Sequence, residues 1–138
     1  MNRRANDFSP IPIYSMAASN TVLCIHRDPD QFVLLREKGY GLVTATNGRE
    51  GLRLLISQPV DAVVLEYYLG RMDGALVAEE IRRVRPRVPI VMVADPQELS
   101  RQALKSVDTL VDKSDGAHLL WAAVHFLLNT RPKLDSVR

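Results

Sequence analysis

The side chains best suited to chemistry in this chain fall into four short groups: His26, Arg27 and Asp28; Glu66, Tyr67 and Tyr68; Ala94 and Asp95; and Lys113. One acid, Glu66, is set among cations. A magnesium-dependent catalyst needs several oxygen ligands converging on the ion, and an arginine, which has no acceptor atom, supplies none. His26 has the chemistry of a metal ligand or a pH switch. No second His or Cys lies at ligand spacing with it, because His118 and His125 belong to the last helical stretch. A structural role is therefore expected for His26. Asp28 precedes Pro29 and Asp95 precedes Pro96, so both read as helix caps. Asp73 before Gly74 reads as a loop turn opening a helix. What remains is a lone carboxylate, Glu66, expected to pair with Arg27 or Lys113. No catalytic residue, metal or cofactor is expected, and the chain is not expected to be an enzyme.

Two alternating periodicities position these groups. Short β-branched runs, Thr21–Ile25, Leu42–Ala45, Val60–Leu65, Val88–Val93 and Thr109–Val111, are apolar on both faces, as strands buried in a parallel sheet are. Between them lie stretches of helical spacing with capping residues in front: Asp28, Asn47, Asp73, Asp95 and Ser114. Gly39, Pro59 and Pro86 supply the stops. The chain therefore reads as five βα units, a doubly wound α/β domain with a parallel sheet between two helical layers. In such sheets ligands gather at the carboxyl ends of the strands, which is where the four groups fall.

Composition narrows the function classes. At 138 residues, with 46% apolar and 25% charged, the sequence suits one globular domain over residues 20–129. Residues 1–19 read as a flexible extension, with a short docking arm around Ile11–Tyr14 as an alternative, and 130–138 as a polar tail. No apolar run reaches the ~20 residues of a membrane span. Cys24 sits in an apolar run as a core residue, consistent with a cytoplasmic location.

The sequence resembles the receiver domains of two-component response regulators. The resemblance is carried by Val22-Leu-Cys-Ile followed by Asp28-Pro29, by Gly39-Tyr40, by the Ala45-Thr46-Asn47-Gly48 turn and by Asp61-Ala-Val-Val-Leu-Glu66. It continues through Met72-Asp73-Gly74, Ile81-Arg82, Pro89-Ile-Val-Met-Val93 and Lys113. It implies a flavodoxin-like (βα)5 fold with strand order 2-1-3-4-5. It also implies a phosphorylation site made of two magnesium-binding acids, an acceptor aspartate, a Ser or Thr, and a lysine, whose charges together neutralise a transferring phosphoryl group. This chain keeps only the lysine. The acid pair aligns with His26 and Arg27, the acceptor with Glu66 and the hydroxyl with Ala94. Ser114 stands where a proline commonly follows the lysine, and Leu110 stands at the aromatic switch position. The resemblance therefore implies a degenerate receiver, signalling through protein partners without the usual phosphotransfer. Phosphorylation at a non-standard residue, Glu66 or Asp73, is the alternative.

Two surfaces are candidates for partners. The last helical stretch, Ala117 to Leu128, is apolar beyond one stripe. Leu120, Ala123, Val124 and Leu127 are expected to face the sheet, leaving Trp121, His125 and Leu128, with Leu110, for a partner. Receivers commonly associate through the fourth helix, fifth strand and fifth helix, so a homodimer there is one expectation. Arg82, Arg83, Arg85 and Arg87 could support an accessory nucleic-acid-binding role. With a net charge of +2 and a place at a helix C-terminus, where cations complement the dipole, they read instead as a solvated face.

Overall fold

The computed structural model describes residues 20–28, 32–70 and 72–130. Five strands, β1 (Thr21–Ile25), β2 (Gly41–Ala45), β3 (Ala62–Glu66), β4 (Ile90–Ala94) and β5 (Thr109–Asp112), form one parallel sheet in the order 2-1-3-4-5, as the resemblance implied. The helices are α1 (Val33–Glu37), α2 (Gly48–Ser57), α3 (Gly74–Val84) and α4 (Ala117–Thr130). Alternate strand residues serve the two faces. Leu23, Ile25, Val63, Leu65, Ile90 and Met92 pack beneath α2 and α3, while Val22, Cys24, Val64, Val91 and Val93 pack beneath α1 and α4. Burying each such side chain stabilises the fold by about 1.5–3 kcal/mol, so register is strongly specified on both faces. Burial also pushes the Cys24 thiol up to about 12, which leaves it an inert core group.

The caps explain where several helices begin. Asn47 accepts the Glu50 amide at 2.9 Å, and Asp73 accepts the Ala75 amide at 2.6 Å. Asp95 accepts the Gln97 amide, but it opens a 3₁₀ turn. The expected fourth helix is in fact two 3₁₀ turns, Pro96–Glu98 and Arg101–Leu104. Extended backbone at Leu99 and Ser100 separates them. Leu99, Leu104 and Val107 still reach the core, so the apolar spacing is satisfied without a continuous helix. Ser114 is not the cap before the last helix; its amide is itself taken up by Asp112. The α1 N-cap position is Phe32, with no side-chain cap, so Asp28 does not cap the described part of that helix. The last helix runs one residue past the expected boundary, to Thr130. The proposed extension 1–19 with its Ile11–Tyr14 arm, and the rest of the tail, lie outside the described residues.

Candidate functional site

The carboxyl edge of the sheet is organised around Glu66, the last residue of β3 and only 8% exposed. Its Oε1 accepts the backbone N–H of Arg27 at 2.9 Å and Arg27 Nε at 3.4 Å. Its Oε2 accepts from Nη2 at 3.3 Å. Parallel pairing places β1 beside β3, so the residue two beyond Ile25 comes within reach of Glu66. The longer side chain of glutamate lets the carboxylate meet that amide. The Arg27 side chain is half-exposed and lies over the Tyr68 ring, 4.7 Å from its centroid, a cation–π contact that fixes its direction. The hydrogen bond to Glu66, and then the charge of Glu66, raise the guanidinium above its already high range.

His26 is also buried. Its Nδ1 lies 3.6 Å from Glu66 Oε1 but accepts the Asp28 amide at 2.8 Å. A nitrogen that accepts a backbone N–H carries no proton, so the imidazole is neutral, with its proton on Nε2, and the contact with Glu66 is not an ion pair. Desolvation holds His26 below its ordinary value, with the charge of Glu66 and then Asp28 pulling the other way. The ring also stands edge-on to Phe32 at 5.1 Å. His26 is thus a structural residue that orders the turn after β1.

The remaining positions are near but not joined to this pair. Ala94 is buried at the end of β4 and offers no hydroxyl. Lys113 is exposed just after β5, and among the described residues no ion pair links it to Glu66. The expectation of Glu66 with Arg27 or Lys113 therefore resolves to Arg27. Asp95 serves its capping amide. Asp73 caps Ala75 with one oxygen and receives the Tyr67 hydroxyl at 3.4 Å with the other. The magnesium that the family's chemistry calls for does not fit these residues. The two positions that would hold it present a neutral imidazole, whose Nδ1 lone pair is engaged, and a guanidinium. Among the described residues no group of three or more His, Cys, Asp or Glu side chains could hold a metal.

The structure splits the suspected interaction residues. Leu110 packs on the α2/α3 side of the sheet, whereas Trp121 and Leu128 pack against the α1/α4 side. Trp121 lies under the Lys38 ammonium at 4.6 Å, and His125 bonds the Tyr40 hydroxyl at 3.0 Å. These two therefore tie α4 to the end of α1. The outward apolar residues of α4 are instead Leu119 and Phe126, 46% and 62% exposed. These arginines are engaged within the chain. Arg82 donates to the carbonyls of Pro86, Val88 and Ser106 and to Asp108, Arg83 pairs with Glu80, and Arg85 donates to the Leu55 carbonyl. A side chain holding four acceptors is a fold clamp, and this removes the leading residue of the nucleic-acid reading.

Comparison with known proteins agrees with this architecture. Residues 31–123 match the family model described as the response regulator receiver domain. The transcriptional regulatory protein GlrR of Escherichia coli is 36% identical over 76 residues, covering 52% of this chain and 17% of GlrR. The chain therefore spans well under a third of that relative. The response regulator protein TrrA of Thermotoga maritima, solved in complex with Mg(2+)-BeF, is 28% identical with a TM-score of 0.71, covering 78% of this chain and 98% of TrrA. TrrA solved in complex with the histidine kinase ThkA is 29% identical with a TM-score of 0.71, covering 80% and 99%.

Proposed function

Since the chain belongs to the response regulator receiver domain family, we propose that it is a receiver of two-component signalling that has given up phosphotransfer and acts by binding proteins. The observation that carries this reading is the Glu66–Arg27 pair. The residue at the acceptor position is buried, and both of its oxygens are committed to a neighbour that occupies a magnesium-ligand position. A phosphodonor would have to displace Arg27 and would find neither the metal nor a hydroxyl to neutralise the transferring group. In this reading no residue is catalytic. Its partners are signalling proteins, with a kinase of the kind seen with TrrA as the first candidate, and its location is the cytoplasm. Among the described residues no helix is long and apolar enough to cross a membrane.

Phosphorylation at a non-standard residue is disfavoured because Asp73 has both oxygens in use. The test is incubation of the full chain with a small phosphodonor and Mg²⁺, followed by intact mass measurement. Unchanged mass is the expected result. A stable gain of one phosphoryl group on Glu66 or Asp73 would overturn the reading.

A further inference from the structure

Lys113 is left without the partner its position invites. Glu66 gives its oxygens to Arg27. The adjacent Asp112 gives Oδ1 to the amide and hydroxyl of Ser114 at 3.0 and 2.9 Å, and these bonds, the amide first, hold its carboxyl below the usual range. Lys113 forms no hydrogen bond or ion pair among the described residues, and it stands on the rim of a cavity of about 310 Å³. Val93, Val111 and Leu120, all buried, contribute the floor of this cavity. At Gly116, where φ is +87°, an added Cβ would meet nothing within 4 Å, so that wall is open. The cavity lies at the carboxyl ends of β4 and β5, the edge where parallel sheets collect ligands. Its size is at the lower end of the roughly 300–1,000 Å³ typical of small-molecule sites.

We propose that this cavity binds a small organic monoanion, a carboxylate carried on a compact apolar body. Lys113 takes the carboxylate, and Val93, Val111 and Leu120 take the body. The anion is specified by Lys113, the one cation lining the cavity among the described residues. Asp112 on the same rim repels each negative charge a ligand brings, so a doubly charged phosphate monoester is penalised more than a singly charged carboxylate. The proposal does not depend on how the domain reaches its protein partners; it requires only that Glu66 stay with Arg27.

The test is a methyl NMR titration of the full chain with benzoate, with benzamide as the neutral counterpart and phenyl phosphate as the more highly charged one. Saturable shifts confined to the methyls of Val93, Val111 and Leu120 are expected with benzoate, with benzamide and phenyl phosphate each at least about fivefold weaker. Lys113→Gln should weaken benzoate by a similar factor and leave benzamide unchanged. Ala117→Phe should narrow the site to both, and circular dichroism checks that it folds. If it does not fold, Lys113→Gln, on an exposed side chain, decides. No saturable shift, shifts at other methyls, equal binding of benzoate and benzamide, or no effect of Lys113→Gln would overturn the proposal.

Discussion

Replacing Glu66 with aspartate would restore the residue type of an ordinary acceptor and break the contact that organises the edge. Removing one methylene withdraws the carboxylate by roughly one carbon–carbon bond, about 1.5 Å, which takes Oε1 out of range of the Arg27 amide now 2.9 Å away. That bond is the shortest of the three and is made to a buried carboxylate, so its loss costs about 1.5–3 kcal/mol. The lower end applies because the half-exposed Arg27 side chain lets water reach the freed amide. The contacts from Nε and Nη2 are long, at 3.4 and 3.3 Å, and are weak beside it. The lost methylene adds about 0.8 kcal/mol of burial. Glu66→Asp is thus expected to destabilise the domain by roughly 2–3 kcal/mol, or about 8–12 °C in Tm for a domain of this size. Urea and thermal denaturation with matched slopes measure it. A loss below about 0.5 kcal/mol, within the usual surface range, would refute the argument that the carboxylate reach of glutamate was selected by this amide. The substitution alone should also fail to make the chain phosphorylatable, because His26, Arg27 and Ala94 are unchanged.

Other expectations follow from the same geometry. His26 has its folded value held below the ordinary 6.5 chiefly by burial, so as pH falls the unfolded chain takes up the proton first. Its contribution to stability is complete above about pH 6.5 and is lost as pH drops below that value. Urea midpoints compared at about pH 7.5 and 5.5 should show the loss, and His26→Gln should reduce the slope. Arg82→Lys should cost about 2–3 kcal/mol, because a single ammonium cannot serve three carbonyls and Asp108 together; an unchanged urea midpoint would show that the clamp is dispensable. Gly74→Ala places a Cβ 2.6 Å from the Glu66 carbonyl oxygen and 2.6 Å from Tyr67 Cα. Because both are backbone atoms, a loss of at least about 2 kcal/mol is expected, together with a shift of the Arg27 amide resonance as the end of β3 moves.

Much of this was legible in the sequence because strands buried on both faces and capped helices leave local signals. The runs around Val22–Ile25 and Val63–Leu65 had only one consistent placement, and Asn47 and Asp73 did what their spacing implied. The segment after Asp95 was not legible. Leu99, Ala103 and Val107 repeat at a helical interval, yet two short turns joined by extended Leu99 and Ser100 bury the same side of the chain. The arginines after Ile81 read as a solvated face because nothing in a linear sequence shows that the carbonyls of Val88 and Ser106 would meet Arg82. The pairing of Glu66 with a cation was readable from charge alone. The choice of Arg27 over Lys113 was not, since it depends on the turn after β1 presenting both the amide and the guanidinium of one residue. Tyr68, only an edge residue in the sequence, holds that guanidinium from its other side. Leu110 and Trp121 do not share a surface, because the sheet stands between them.

The central claim is that Glu66 is an acid held by Arg27 and closed to metal and phosphoryl chemistry. It is tested most directly by following the backbone amides of Arg27 and Glu66 by NMR while Mg²⁺ and beryllofluoride, the combination bound to TrrA, are added to the full chain. The account predicts that both amides stay in place at saturating ligand, with the Arg27 amide still hydrogen-bonded. Saturable movement of both, with loss of the Arg27 hydrogen bond, would contradict it and return Glu66 to the role of acceptor.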